Sequence, residues 1–444
     1  MQFPAGYLDH LKQAPGFDVE SFQSAHSDKV PVSVRIHPRK PAFKTENLEQ
    51  VKWCKEGFYL PQRPDFTLDP IFHAGAYYVQ EASSMSIQKA LEDQFGSERN
   101  LRILDLCAAP GGKSTLLASW LNGNGLLVAN EVIKPRASIL KENLDRWGFT
   151  NVVVSNNDPR QFGKLEGFFD VIVVDAPCSG SGMFRKDPEA MKHWSEDAVA
   201  HCSARQERIL EDVWPALKPG GLLLYSTCSY SESEDEQISQ WIAEDLEAEI
   251  LKSVSLDEIP EIIKTSGGYR FYPNKTKGEG YYLSILRKLE EGEDFEERLK
   301  LKNMPLPDAL GDLLEAPDEY HMYETHLGQI LFPKASIEGL ASIMKHLHVL
   351  KVGTLAGELK GKSFVPDHEL AMSLVLDVTV PRLELSKEEA LRFLKKEALP
   401  NRFGSQGWHL MQFEGLSLGW GNVLPNRINN GLPKSWRILK DIGV

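Results

Sequence analysis

Five short apolar segments alternate with helical patterns between Leu101 and Thr227, and no other pattern in the chain limits its possible folds as strongly. The segments read LRILDL, GLLVAN, NVVVS, DVIVVD and GLLLYST, with helical patterns such as KPRASILKENLDRWG between them. Near-continuous apolar strands are typical of parallel sheets that helices cover on both faces. The sequence therefore predicts an α/β fold with a largely parallel sheet.

The regions before and after these five segments have different sequence patterns. In residues 1–95 the stretch VPVSVRIHPRK alternates apolar and polar residues, which indicates a strand in a small mixed N-terminal domain. GYRFYP and GYYLSILRK have no helical pattern between them and predict an antiparallel strand pair that closes the sheet. The charged run Glu290–Lys300 predicts a linker. We therefore expect domains at 1–95, 96–290 and 291–444, the last of them compact and β-rich.

The charge of the chain restricts how it can bind nucleic acid. Lys and Arg total 50 against 63 Asp and Glu, a net charge of -13, so a global basic field is excluded and any contact must use local patches. Two basic groups with a neighbouring aromatic residue are candidates for such patches. The first is Arg35, Arg39, Lys40 and Lys44 with Phe43, and the second is Arg427, Lys434, Arg437 and Lys440 with Trp436.

The five cysteines are odd in number and scattered, with no C-x-x-C pair. This usage argues against a disulfide framework and against a structural zinc site, and no histidine pair has convincing metal-ligand spacing. We expect a cytoplasmic protein with no bound metal. No apolar run reaches the length of a transmembrane helix, so no membrane segment is expected.

A loop of small residues follows the first apolar segment and leads into a helical pattern. Small residues at a helix N-terminus allow the backbone to approach an anionic or zwitterionic ligand. A phosphate loop is the obvious competitor because the loop ends in Gly-Lys-Ser, but Cys107 stands where that motif requires glycine. The candidate cofactor residues of this loop are Cys107, Ala108, Ala109, Pro110, Gly111, Gly112 and Lys113.

Acidic residues end the next apolar segments. Glu131 follows the second, Asp158 the third and Asp175 ends the fourth, and open α/β sheets bind ligands at this edge. An acidic residue after the second strand is suited to a ribose diol, so an adenosyl cofactor fits. The alternative is that these carboxylates cap the following turn, and for Asp158, which precedes Pro159, the two interpretations are about equally supported. Asp105, inside the first segment, is expected to be a buried orienting group.

Two further loops at this edge carry a thiol each. Cys178 follows Asp175 in DAPCSG, and Cys228 follows the fifth segment in STCS. Thiolates are nucleophiles, so the two cysteines can serve one substrate. Cys54 and Cys202 lack this context and are expected to be small buried apolar residues.

Four long motifs in register resemble the Sun-type RNA cytosine-C5 methyltransferases: LDLCAAPGGKS, DAPCSGSGMFRKDP, LKPGGLLLYSTCSYSESEDE and GEGYYLSILRK. The resemblance covers about residues 1–290. Asp235 stands where that family usually has Asn, and Asn274 where His is frequent. The layout is most similar to the bacterial F type, which acts on small-subunit (16S) ribosomal RNA and carries an extension similar to RNA-binding PUA domains.

The resemblance implies a Rossmann-like class I core, S-adenosylmethionine as cofactor and RNA as partner. It also implies that Cys228 attacks C6 of cytosine, that Cys178 aids release and that Asp175 holds a proton toward N3. Without the resemblance, the residues do not distinguish the two thiols, so the alternative that Cys178 is the nucleophile stays open. Other functions also stay open: methylation of transfer RNA, or a non-catalytic RNA-binding factor in ribosome assembly. Methylation of an exocyclic amine is disfavoured, because DAPC replaces the Asn- or Asp-Pro-Pro-aromatic sequence that it requires.

Overall fold

The computed structural model describes residues 3–290, 292, 295–296, 299–361 and 363–442. Its central sheet contains the five predicted apolar segments as mutually parallel strands, and their spatial order is third, second, first, fourth, fifth. The predicted α/β fold is therefore confirmed. In chain order these core strands are Arg102–Asp105, Leu126–Asn130, Val152–Ser155, Phe169–Asp175 and Leu217–Thr227.

Antiparallel strands extend this sheet at both edges. Beyond the fifth core strand lies Tyr281–Lys288, which pairs in turn with Tyr269–Phe271, so the predicted closing pair is confirmed. Ile263–Lys264 and Ala248–Ile250 complete that side. At the opposite edge Val349–Val352 pairs with the third core strand. A strand from the C-terminal region thus belongs to the core sheet, which the sequence did not indicate.

Helices cover both faces of the sheet, and consecutive strand residues pack on opposite sides. Ile103 lies in one apolar cluster with Leu117 and Leu140, whereas Leu104 lies in another with Phe169 and Leu210. This alternation is the two-residue period of a strand buried on both faces. The covering helices are Ile87–Phe95, Gly112–Leu121, Lys134–Trp147, Glu196–Val213, Glu236–Asp245 and Val254–Asp257.

The N-terminal region contains a four-stranded antiparallel sheet, and its strand Val32–Ile36 confirms the predicted one. The other strands are Glu49–Gln50, Gly57–Leu60 and Tyr77–Val79, and the helices are Tyr7–His10, Val19–Ala25 and Pro70–His73.

Two residues of the first basic patch hold this region to the core, so their assignment to RNA binding is wrong. Arg35 is 1% exposed and donates to Gln80 Oε1 at 2.8 Å and to Thr115 Oγ1 at 2.6 Å. Lys40 is also buried, and its ammonium donates to the carbonyl oxygens of Ala74, Arg146 and Met372. Buried cations need such acceptors, and a side chain held by them is not available to a ligand.

The C-terminal region is rich in strands, as predicted. Its largest sheet has five strands, in the order Arg382–Glu384, Gly407–Phe413, Leu416–Val423, Arg427–Asn430, Leu399–Pro400. A second sheet contains Asn303–Met304, Tyr320–Thr325, Gly328–Pro333 and Thr354–Leu355, and Gly357–Lys360 pairs with Ser363–Pro366. The helices are Asp308–Gly311, Leu340–His346, His368–Met372 and Lys387–Leu394.

The predicted linker 290–300 lies partly outside the described residues, which omit 291, 293–294 and 297–298.

A buried ionic network joins this region to the core. Lys351 pairs with Asp145 at 2.8 Å and with Glu369 at 2.9 Å, and Lys141 pairs with Asp145 at 2.7 Å. Lys351 is 3% exposed, so its charge is stabilised by the neighbouring carboxylates and not by water.

The second basic patch is also partly engaged within the chain. Trp436 lies against the guanidinium of Arg146 at 5.0 Å from the ring centroid, and Lys440 pairs with Asp65. Trp436 and Lys440 therefore contribute to the packing of the chain, while Arg427, Lys434 and Arg437 are exposed.

No helix in the described part of the chain combines the length and the apolar character that crossing a lipid bilayer requires.

Candidate active site

A cavity of about 440 Å³ opens at the carboxyl edge of the core sheet. The first and fourth core strands are neighbours there, and the chain leaves them toward opposite sides of the sheet, which is where open α/β sheets bind ligands. The predicted site residues that line the cavity come from five separate loops: Cys107, Ala109, Glu131, Asp158, Asp175, Cys178 and Cys228.

The other residues of the predicted cofactor loop are not among those that line the cavity: Ala108, Pro110, Gly111, Gly112 and Lys113. Gly111 has a φ of 116°, a conformation that side chains disfavour, and the helix begins at Gly112. Ser114 in the first turn donates to Asp105 Oδ2 at 2.6 Å. Asp105 therefore orients the loop, as expected. Burial raises the pKa of Asp105 to about 7, and its Oδ1 has no hydrogen-bond partner in the described structure.

Lys113 connects the loop to the fourth core strand. Its ammonium lies 2.8 Å from Asp175 Oδ2, and Ser226 donates to the other oxygen of the same carboxylate at 2.9 Å. Burial opposes the charge of Lys113, but the attraction of Asp175 outweighs burial and holds the pKa of Lys113 above its usual value. Asp175 is thus fixed between the cofactor loop and the strand that carries Cys228.

Glu131 is 3% exposed, and its carboxylate is held in place at the cavity wall. It accepts the backbone N–H of Ile133 at 2.9 Å and pairs with Arg136 at 3.1 Å. Arg136 also donates to the carbonyl of Ala109 at 2.8 Å, which ties this strand end to the cofactor loop. Arg136 was not among the predicted site residues, because a basic residue in the first turn of a helix usually contacts only solvent.

Asp158 lies at the rim, with its side chain 45% exposed. It accepts the N–H of Arg160 at 3.1 Å and pairs with the Arg160 side chain at 2.9 Å, and hydrogen bonds from that side chain lower the pKa of Asp158. The capping interpretation is therefore confirmed, and because Asp158 also lines the cavity, its assignment to the cofactor stays a prediction.

The two thiols meet in the lining of the cavity. Cys178 Sγ lies 3.1 Å from Cys228 Sγ, and both side chains are half-buried. Its hydrogen bond with Cys228, together with burial, raises the pKa of Cys178 well above the usual value. Cys178 is therefore held as a protonated thiol that can donate to its neighbour.

Glu234 joins the two thiol loops. Its carboxylate accepts the N–H of Ser179 at 2.7 Å, the Ser179 hydroxyl at 2.5 Å and the Ser229 hydroxyl at 2.6 Å. Gln206 donates a fourth bond at 3.3 Å. Glu234 is fully buried, and burial raises its pKa. This role could not be predicted from the sequence, because the stretch SESEDE has the composition of a solvated turn.

Gly182 allows the loop of Cys178 to approach that of Cys228. Its N–H donates to the Cys228 carbonyl at 2.7 Å, and a Cβ on Gly182 would lie 2.6 Å from the same oxygen. Only glycine fits this approach.

Asp235, where the resembled family usually has Asn, supports the same region. It accepts the Thr227 hydroxyl at 2.6 Å and lies 3.2 Å from Arg270, whose guanidinium also pairs with Glu236. Burial raises the pKa of Asp235 well above its usual value.

This fold and site define a class: a Rossmann-like methyltransferase that uses S-adenosylmethionine. The buried Glu131 carboxylate suits a ribose diol. Asp105 ends the strand that leads into the small-residue loop, and its Oδ1 has no hydrogen-bond partner among the described residues. These are the features of this chain that fit an adenosyl cofactor with a zwitterionic tail.

Comparison with known proteins narrows the class. The family model described as 16S rRNA methyltransferase RsmB/F matches residues 94–287. The model for the N-terminal domain of 16S rRNA methyltransferase RsmF matches 3–82, and that for the methyltransferase RsmF PUA domain matches 380–438. The ribosomal RNA small subunit methyltransferase F of Vibrio atlanticus is 30% identical to this chain, and the match covers 97% of each chain. That of Shewanella loihica is 32% identical over 87% of this chain and 83% of the relative. The chain therefore belongs to the RsmF-type 16S rRNA methyltransferase family.

Solved structures agree with the fold. A methyltransferase homolog from Pyrococcus horikoshii has a TM-score of 0.54 at 30% identity and covers 64% of this chain and 94% of its own. NSun6 from the same organism, solved with SFG, has a TM-score of 0.54 at 20% identity, covers 65% of this chain and 99% of its own, and supports the fold alone.

Proposed function

We propose that the protein methylates C5 of a cytosine in 16S ribosomal RNA, in the cytoplasm, through a covalent bond between Cys228 and C6. The observation that carries the proposal is the pair of thiols, whose sulfur atoms lie 3.1 Å apart in the lining of the cavity. Relatives that match this chain over most of its length are named as small-subunit ribosomal RNA methyltransferases, which supports the substrate.

Different residues of the cavity bind the cofactor and act on the cytosine. The loop Cys107–Lys113, Glu131 and Asp158 bind S-adenosylmethionine, which supplies the methyl group. Asp175 lines the same cavity, and its pairing with Lys113 fixes its carboxylate where it can accept a hydrogen bond from a protonated cytosine N3 and so hold that proton in place. A proton at N3 draws electron density from the ring and makes C6 more electrophilic.

Cys228 then attacks. Its thiolate sulfur bonds to C6, and the electron pair of the C5–C6 double bond moves to C5, which becomes nucleophilic and accepts the methyl group. A base next removes the C5 proton. The electrons of that C–H bond restore the double bond and expel the Cys228 sulfur. Cys178 donates a hydrogen bond to the departing thiolate, a role that suits a thiol with a raised pKa.

We also propose that the three regions divide the work. Residues 96–290 carry the chemistry, and 1–95 and 291–444 hold the RNA. The strand Val349–Val352 in the core sheet supports a fixed orientation of the C-terminal region relative to the cavity.

The test offers the purified protein three substrates with methyl-labelled cofactor: naked 16S RNA, small ribosomal subunits and transfer RNA. We expect labelled 5-methylcytosine in one of the two ribosomal substrates, located by bisulfite sequencing, and none with Cys228→Ser, which should keep its cofactor affinity. Labelling of transfer RNA alone would refute the ribosomal substrate. Label on a base other than cytosine would refute the reaction.

A further inference from the structure

A second and larger cavity lies outside the cofactor site. It is a groove of about 970 Å³ between the N-terminal region and the core, about twice the volume of the cofactor cavity. The N-terminal region contributes one wall and the core the other. The wall segments are residues 28–33, 60–63 and 79–82 on one side and 185–186 and 273–279 on the other.

The core wall of this groove is in direct contact with the thiol loops. Arg185 donates to the carbonyl of Gly278 at 3.0 Å, which ties two parts of that wall together. Gly280, the next residue after the wall, approaches Gly182 so closely that a Cβ on Gly182 would lie 2.8 Å from its carbonyl oxygen. Gly182 in turn donates to the carbonyl of Cys228. Gly280 and Gly182 therefore link the groove wall to the backbone of Cys228, the nucleophile of the proposed reaction.

The groove is basic although the chain is acidic. Three acidic residues and six basic ones line it, whereas the whole chain has a net charge of -13. Lys186 and Lys275 are exposed at its rim. The basic residues are Lys29, Arg63, Arg185, Lys186, Lys275 and Lys277. Such a local excess of cations in an acidic chain indicates a polyanionic ligand.

One acidic residue of the lining has unused hydrogen-bonding capacity. Glu279 is 5% exposed, and its Oε2 has no hydrogen-bond partner in the described part of the chain. Its backbone N–H is held by Glu81 Oε1 at 3.0 Å. Burial, with the nearby Glu81, raises the pKa of Glu279 to about 7. A carboxylate repels phosphate, so in a groove that binds RNA this side chain is suited to a base edge that carries donors.

We propose that this groove binds a single-stranded segment of RNA, with phosphates at Lys186 and Lys275 and the exocyclic amine of a cytosine at Glu279. The inference rests on the proposed function, in which RNA is the substrate. A single strand is favoured because chemistry on a base requires that base to leave its stack, and single strands expose base edges to side chains.

The first test measures phosphate contacts. The probes are fluorescent twelve-nucleotide oligo-C and oligo-U, and all proteins carry Cys228→Ala, so no covalent bond contributes to the affinity. Anisotropy titrations over a range of KCl concentrations give the slope of log affinity against log salt. Lys186→Gln/Lys275→Gln should reduce the magnitude of this slope by about 1.4, since each phosphate contact on a single strand contributes about 0.7. The matched control, Lys164→Gln/Lys252→Gln, removes two exposed lysines of the core that lie outside the groove and should leave the slope unchanged. Equal slopes in both double variants would overturn the proposal.

The second test concerns Glu279 and is done at pH 8, where its carboxylate is ionised. That carboxylate can accept from the N4 amine of cytosine but repels the O4 oxygen of uracil, so oligo-C should bind roughly fivefold more tightly than oligo-U. In Glu279→Gln the amide can pair with either base, and the ratio should fall to near one. A ratio that Glu279→Gln leaves unchanged would remove Glu279 from the site. These binding assays need neither cofactor nor turnover, so a failure of methyl transfer would not alter their outcome, and loss of the salt effect would not by itself refute the reaction.

Discussion

Replacing Glu234 tests whether the thiol pair depends on the carboxylate that joins its two loops. Glu234→Ala removes an acceptor of four hydrogen bonds, and each bond to a charged group is worth about 1.5 to 3 kcal/mol. The raised pKa of Glu234 shows that keeping this carboxylate buried is itself costly, which offsets part of the gain. We therefore expect the free energy of unfolding to fall by about 3 kcal/mol, well below the sum of the four bonds.

The effect on chemistry should exceed the effect on cofactor binding. Glu234 does not line the cofactor cavity, so the affinity for S-adenosylmethionine measured by calorimetry should change little. Released loops shift Cys178 and Cys228 relative to one another, and a displacement of about 1 Å at reacting groups can reduce a rate about 100-fold. Single-turnover methyl transfer should therefore slow by about that factor.

Two further variants distinguish the effect of Glu234 on the positions of the thiols from its effect on the stability of the fold. Glu234→Gln keeps the shape and can still accept from the Ser179 N–H, so it should lose only about 1 kcal/mol of stability and recover much of the rate. Glu232→Ala, two residues earlier in the same segment, should stay within about 0.5 kcal/mol of the unaltered protein. The reasoning would be refuted if Glu234→Ala resisted urea as well as Glu232→Ala and transferred methyl groups at the unaltered rate.

Three other substitutions test separate parts of the structure. Glu131→Ala should weaken cofactor binding by about 1.5 to 3 kcal/mol, because a charged acceptor for two hydroxyl groups is lost, and unchanged affinity in calorimetry would remove Glu131 from the site. Lys351→Met leaves Asp145 and Glu369 buried with less compensating charge and should cost about 3 to 5 kcal/mol in urea denaturation, less at acidic pH, where carboxylates take up protons; a pH-independent loss would contradict this. Asp105 has its pKa raised to about 7 in the folded state, so the unfolded chain releases this proton at lower pH and stability falls as pH rises from about 4 to about 7, by about 4 kcal/mol in total. Asp105→Asn should lack this contribution, and an equally steep pH dependence in both proteins would show that Asp105 titrates normally.

The features that the sequence predicted well are those that local patterns determine. Apolar runs of strand length locate the core strands, and loops that follow parallel strands must meet at one edge, which brings Glu131, Asp175, Cys178 and Cys228 to one cavity. The family motifs point to the same edge. Neither inference needs any knowledge of how distant segments pack.

The features that it missed depend on contacts between distant parts of the chain. Lys40 is part of a basic run in the sequence, yet one of its acceptors is the carbonyl of Met372, 332 residues away. Val349–Val352 is an ordinary apolar strand until the edge of the core sheet is known. Glu234 lies in an acidic stretch, and only the tertiary structure surrounds it with donors. The local sequence around a charged side chain does not show whether water or a buried partner balances its charge.

The most direct measurement of the proposed mechanism is denaturing electrophoresis of the protein after reaction with its RNA substrate and cofactor. If Cys228 attacks and Cys178 promotes release, Cys178→Ala should accumulate a covalent protein–RNA band, because bond formation proceeds and expulsion is slow. Cys228→Ala should give no such band, and both variants should bind the cofactor normally. A stable band from Cys228→Ala instead would reverse the roles of the two cysteines, and full turnover in either variant would contradict the two-thiol mechanism.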